Sequence, residues 1–302
     1  MANVQKLKPA YRSTALLFLM CVAIWGTTWF AITFQVESVA PEVAVFHRFA
    51  LASLLLFAWC TLRGMTLRFN ASQHIALALQ GSLMLGVSYI FVYYAETRIV
   101  SGLVAVGFSI SPLVNMIGAR LAFGTPMSKR VGLGGVLGAI GIAIIFQPEL
   151  AALRGSGEAA KGIAFTMLAV LTSAAGSLVA SRNARRHLPV QPALAWGMLY
   201  GAGVNAVLAF VTGKSFALPI DAEYVLSLLY LALFGSVIAF GGYLVLLHRI
   251  GAARTGYIGV LVPIVALAVS TAFEGYAWTS RASIGVALCL AGNLLVVGMR
   301  RR

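Results

Sequence analysis

The sequence predicts an all-α polytopic membrane protein of ten transmembrane helices, built as two inverted five-helix repeats. Three observations lead there. The chain is 60% hydrophobic and 10% charged, far from the roughly 45–50% apolar and about 25% charged composition of a soluble domain. Its apolar residues come in runs of about 20, the length that spans a bilayer as helix. Sliding the chain by 151 residues also brings Pro, Gly and Arg positions into register. Lipid cannot satisfy backbone hydrogen bonds, so such runs are helices or a closed barrel. A barrel needs alternating polarity, and these runs are blocks.

The helices follow in order. The first, Ser13–Phe34, comes after a basic run (Lys6, Lys8, Arg12) as a secretory leader would. Its apolar stretch exceeds the roughly 7–15 residues of a leader core, and it has a counterpart in the second half, so it is kept as a mature helix. Glu42–Leu62 follows Pro41 and stops before Gly64. Gln73–Ala95 carries two of the chain's tyrosines on one stripe, and Ser101–Phe123 holds Pro112 near its centre and stops at Gly124-Thr125-Pro126. Arg130–Phe146 is glycine-rich and closes a first repeat over 13–146. A connector, 147–160, contains Gly155-Ser156-Gly157, a turn signal. Lys161–Ser181, Pro192–Thr212, Tyr224–Leu247, Thr255–Phe273 (with Pro263) and Ala282–Met299 make the second repeat, 161–299.

Charge supports the count. With the N-terminus in the cytoplasm, inside segments hold fifteen cations: Lys6, Lys8, Arg12, Arg63, Arg68, Lys129, Arg130, Arg182, Arg185, Arg186, Arg249, Arg254, Arg300, Arg301 and Arg302. Outside segments hold five (Arg98, Arg154, Lys161, Lys214, Arg281), and all eight acids, including Glu96, Glu149 and Glu274, fall outside. This is the positive-inside pattern, and one miscounted helix would scramble it. Both termini are therefore expected in the cytoplasm. The same placement explains the net charge of +14 without a nucleic-acid partner, since the cations sit in short linkers. Cys21, Cys60 and Cys289 all lie in apolar blocks without a C-x-x-C pair and read as packed thiols.

In the 151-residue register Arg98-Ile99 falls on Arg249-Ile250, Pro112 on Pro263, Gly124 on Gly275, Arg130 on Arg281, Gly134 on Gly285 and Gly141 on Gly292; Gly26 meets Gly176 at an offset of 150. Two copies of an odd-numbered unit enter the membrane in opposite senses. That inverted architecture permits alternating access by rocking one half against the other, although an ancient duplication without mechanical meaning would leave the same trace.

With Trp25-Gly26 in the first helix, Pro112 and Pro263 in mid-helix, and glycine-rich fifth and tenth helices, nearly the whole chain resembles the drug/metabolite transporter superfamily of the EamA type. Within it the general likeness is to the YddG-type exporters of aromatic amino acids. The Gly-Glu pair that often ends the fourth helix of each unit is degraded here to Gly124-Thr125 and Glu274-Gly275. The resemblance implies a multi-pass transporter in a bacterial inner membrane, exporting small neutral or zwitterionic metabolites, aromatic and other hydrophobic amino acids among them. Sugars, nucleosides and toxic cations are the alternative cargo. It implies no cofactor or metal, and a monomer or loose homo-oligomer in the lipid bilayer.

The residues expected at the substrate are these. Proline inside a helix removes an N–H and frees the carbonyl four residues back, so Pro112 would free Phe108 and Pro263 would free Gly259. Paired interruptions in two halves point to a transporter site; a packing kink is the competing explanation. On the third helix Ser82, Gly86, Tyr89, Tyr93 and Glu96 share one face, opposite Leu83, Val87, Ile90 and Phe91, which suits lipid. Tyrosine offers a ring and a polar handle to a flat aromatic guest, while Tyr93, nearer the outer end, also fits an interfacial belt. Trp25, Phe108, Asn115, Tyr243 and Tyr257 complete the set. Gly197, Gly201 and Asn205 read as a close-packing face. His47 and Arg48 lie two turns into the second helix, where ionisable groups are costly. His47 is the coupling candidate; snorkelling or pairing with Glu42 or Glu96 serves equally for both. No acid falls near a span centre, so facilitated or loosely coupled transport is expected.

An integral-membrane enzyme is the alternative from another class, but H-E-x-x-H and G-x-S-x-G are absent and His47, His74, His187 and His248 are scattered. A channel would need a filter-like loop or charged ring. Asn70-Ala71-Ser72 has the form of a glycosylation acceptor but falls on the cytoplasmic side.

Overall fold

A computed structural model of the chain describes residues 4–124, 126, 129–147, 157–184 and 188–297. Thr125, Glu149, Arg154, Gly155, Ser156, Arg185, Arg186, His187, Met299 and Arg300 to Arg302 lie outside the described residues. Among the described residues the backbone is all helical, with no strand. Seven helices among the described residues are long and apolar enough to cross a membrane, and three shorter apolar helices accompany them.

In chain order these are α1 (Val4–Ser38), α2 (Pro41–Leu62), α3 (Ala71–Glu96), α4 (Ser101–Phe123), α5 (Lys129–Ile145), α6 (Glu158–Ala184), α7 (Val190–Val211), α8 (Ala222–Leu246, helical on to Thr255), α9 (Tyr257–Phe273) and α10 (Ser280–Val297). Helix ends follow local chemistry. Pro41 opens α2 at its first position, where its missing N–H is an orphan anyway. Asn70 and Gln73 cap α3 reciprocally, at 2.9 and 2.8 Å; the apparent glycosylation acceptor is a capping box. Asp221 accepts from the Tyr224 N–H at 2.8 Å to start α8. Gly251, at φ 77°, breaks the path from α8 to α9 in the left-handed region that glycine tolerates.

Two stretches widen into π-helix, neither of them expected from the sequence. Ser82–Val87 in α3 and Tyr230–Ile238 in α8 are π-helical. Residues 82–87 shifted by 151 are 233–238, so the wide turns are mates in the same register that aligns the prolines. A π turn inserts a residue and rotates the helix beyond it. The stripe expected on α3 is therefore split, with Gly86, in the turn, set against Gly201 of α7. Met84, Leu85, Ser88, Tyr89 and Val92 form its inner face, Ile90 is buried rather than lipid-facing, and Phe91 stacks on Phe165 of α6 at 6.0 Å.

The two halves exchange their first helices. α1 packs on α8 and α9, while α6 packs on α3 and α4. α2 packs against α7, and α5 against α10. At the last seam glycines from each helix meet. A methyl added at Gly285 would lie 2.7 Å from the Gly141 carbonyl, and one at Gly292 would lie 2.8 Å from the Gly138 nitrogen. Small residues let helix backbones approach in a membrane. Gly197 and Gly201 play the same part between α7 and α3, and Asn205 donates back to the Gly201 carbonyl at 3.0 Å. Leu54, Val207, Phe210 and Leu226 are 64–78% exposed. These belong to an outer apolar surface of the size that soluble monomers rarely expose.

Candidate functional site

The exchange of α1 and α6 leaves a cavity of about 400 Å³ between the halves, lined from α1, α2, α3, α4, α6, α8 and α9. Its wall is mainly aromatic. Trp25 meets Phe240 edge-on at 5.3 Å and Tyr243 at 5.5 Å, and Trp29 meets Phe108 at 5.3 Å. The Trp25 indole N–H donates to the Gly235 carbonyl at 3.1 Å. Gly235 lies in the π turn of α8, so that turn both shapes the wall and fixes the ring facing it.

Of the residues expected from sequence, Trp25, Tyr89, Phe108, Pro112, Asn115, Tyr243, Gly259 and Pro263 meet at this cavity. Tyr93 and Tyr257 do not line it. Tyr93 is fully buried and donates to the Gln35 Oε1 at 2.7 Å, so a lipid-interface role is corrected. His47 also lies elsewhere, hydrogen-bonded through Nδ1 to the Tyr224 hydroxyl at 2.7 Å. The proline geometry differs between the halves. Residues 108–110 before Pro112 tighten into a 3-10 turn, and the Ser111 N–H donates to the Phe108 carbonyl. That carbonyl is therefore not freed, because a 3-10 turn satisfies an acceptor that the α pattern would leave open. Pro263 sits inside a continuous helix.

The polar groups of the cavity are few and pointed. Ser88 is satisfied by the Ala169 carbonyl at 2.9 Å. The Ser111 hydroxyl and Asn115 Oδ1 are buried without a hydrogen-bond partner. Arg48, which the sequence left between function and snorkelling, is 1% exposed and reaches the cavity. Its Nε donates to the Ser236 hydroxyl at 3.4 Å, and its guanidinium carbon lies 4.8 Å from the Tyr89 ring centre and 5.2 Å from that of Phe49. Desolvating an ion costs several kcal/mol, whereas cation–π contacts return about 0.5–2 kcal/mol each.

The cavity ends abruptly at the side predicted to face outward. Val92 and Ile32 line it, whereas Glu96 and Val36, one turn further along α3 and α1, line a second pocket of about 640 Å³ with Glu37 and Glu274. One turn of helix is about 5.4 Å, and the Tyr93–Gln35 hydrogen bond lies in that turn. Beside it Glu274, at the end of α9, accepts from the Ser101 N–H at 3.0 Å and the Ser101 hydroxyl at 2.5 Å, and also from Ser270. A carboxylate at a helix N-terminus is well placed electrostatically. The sequence, which read Glu274 only as an outside charge and half of a degraded pair, did not reveal this cap, because the contact spans 173 residues. At the other end the cavity reaches Asn115, Thr255 and Gly256.

Known proteins share this sequence and shape. The chain is 32% identical over 258 residues to the "uncharacterized inner membrane transporter YedA" of Escherichia coli, covering 83% of this chain and 80% of the relative. It is 26% identical over 311 residues to the protein PagO of Salmonella typhimurium (96% and 97% covered). It is 24% identical over 306 residues to a "probable amino-acid metabolite efflux pump" of the same species (96% and 97%). A crystal structure with 17% sequence identity superposes with a TM-score of 0.68, covering 94% of this chain and 96% of that one, which speaks to the fold. The profile of the EamA-like transporter family matches twice, over residues 12–147 and 160–298, and the chain is a membrane transporter belonging to that family.

Proposed function

We propose that the chain exports small neutral or zwitterionic metabolites, aromatic and other hydrophobic amino acids first among them, by alternating access around the central cavity. All ten helices cross a bacterial inner membrane, the second family match is inverted relative to the first, and both termini are cytoplasmic. The observation that carries the substrate class is the cavity wall. Trp25, Trp29, Phe108, Phe240 and Tyr243 enclose about 400 Å³, which is at the small end of ligand sites and suits a single ring rather than a large drug. One relative's name, an amino-acid metabolite efflux pump, supports the same class.

In this reading the structure is the state closed on the outer side. Trp25, Tyr89, Phe108 and Tyr243 hold the ring, while Asn115 and Ser111 offer acceptors to its polar end. Pro112 and Pro263 place α4 and α9, the helices that bend as the cavity changes sides. His47, tied to Tyr224, is at most a modulator, and transport is facilitated or loosely coupled. Counterflow of labelled phenylalanine and tryptophan in proteoliposomes tests the proposal, with alanine and valine as controls. Saturable exchange of the aromatic pair is expected. Exchange of nucleosides or organic cations but not amino acids would replace it.

A further inference from the structure

Resting on that reading, we propose that Arg48 is the anchor for a carboxylate, so the carrier selects solutes with an acidic head. The inference starts from an imbalance. A guanidinium carries five N–H donors and stays ionised. Arg48 is 1% exposed, yet its Nη1 has no hydrogen-bond partner, and no carboxylate is within 4.0 Å of it among the described residues. Its neighbours are neutral: the Ser236 hydroxyl, the faces of Tyr89 and Phe49, and the Tyr93 phenol. Glu96, an acid that acts on it electrostatically without touching it, has both oxygens without partners and faces the second pocket.

A buried cation with no carboxylate in ion-pair contact inside a membrane protein marks a ligand pathway by default. Here it lines the cavity itself. The planar fork matches a carboxylate, and Nη1 is open to one while Nε is held by Ser236 and the Tyr89 ring centre lies 4.8 Å from the guanidinium carbon. A carboxylate in the cavity would supply the missing charge and the missing acceptors together. The aromatic wall around Trp25 then receives the rest of the solute. A solute with only an ammonium head would meet Arg48 as a like charge.

Purified protein is titrated with four probes: 3-phenylpropionate, phenylalanine, phenylalaninamide and phenethylamine. Binding is followed by tryptophan fluorescence, with thermal unfolding as a check on folding. The two acids are expected to bind at least roughly 30-fold more tightly than the amide and the amine, the discrimination expected where a buried charge loses its partner. Arg48→Met should collapse that ratio to within about 3-fold. Arg48→Lys should keep the preference at lower affinity, because a point charge lacks the fork. A purely structural arginine would weaken all four probes alike and leave the ratio unchanged, and that result overturns the inference. Equal binding of phenethylamine and 3-phenylpropionate to the unaltered protein also overturns it, while leaving amino-acid transport standing. Should no aromatic probe bind, the aromatic reading fails. Lactate against lactamide then decides Arg48, and equal or absent binding of the two counts against the anchor.

Discussion

The sharpest consequences lie in single side chains. Trp25 touches two rings and donates to a π-turn carbonyl, so it contributes both packing and order to the cavity wall. Trp25→Ala should raise the half-saturation for phenylalanine about 10-fold, corresponding to ~1.4 kcal/mol. Trp25→Phe, which keeps a ring but loses the N–H, should raise it less. Equal effects in counterflow would mean that the indole hydrogen bond does the fixing. Sequence marked this residue through the Trp25-Gly26 pair, one of the features that carry the family resemblance. It set Tyr93 on the same face as Tyr89, one turn further out. Both follow the π turn at 82–87, and Tyr93 lies past the end of the cavity, where it donates to Gln35; a helical period gives a face but not how far along it a cavity extends. Arg48 was legible as an anomaly, but that no carboxylate touches it depends on groups distant in the chain.

At the scale of elements, the closed side of the cavity rests on about one helical turn. The Tyr93–Gln35 bond joins α3 to α1 there, and Glu274 ties α9 to α4. Removing the donor with Tyr93→Phe leaves the Gln35 carbonyl buried and unpaired, a cost of about 1–3 kcal/mol to the closed form. A cysteine introduced at Val92 should then react faster with an impermeant maleimide added from outside, by about 5-fold or more. An unchanged rate would show that the barrier lies elsewhere. Pro41 marked a helix start in the sequence, whereas the Asn70 and Asp221 caps, although local, were passed over there for a glycosylation pattern and an outside charge. The Glu274 cap was not legible, since it pairs two helices from different halves. The glycines at the seam of α5 and α10 stood out as matched positions, but their contact did not, since it joins helices from different halves. Gly141→Leu should destabilise the fold by at least about 2 kcal/mol through overpacking, seen as a lower unfolding temperature in detergent. Gly132→Ala, where an added methyl meets nothing within 4 Å, should leave it unchanged.

For the whole molecule, composition alone excludes a soluble globule, and block length selects helices over a barrel. The 151-residue register gains weight from features that do not belong to composition. The π turns are mates, α1 and α6 each cross to the other half, and Arg98 pairs with Glu158 at the start of α6 while Arg249 reaches Ser13 on α1. A shared cavity between exchanged halves follows from that arrangement, and rocking about it requires the halves to be threaded in opposite senses. The direct measurement is sidedness in intact cells, with one tag at the N-terminus, a second at the C-terminus and a third inserted at Gly157 between the family matches. Both ends should be reached only from the cytoplasm and the central tag only from outside. Ends found on opposite faces would contradict an odd-numbered inverted repeat and remove the basis for alternating access here.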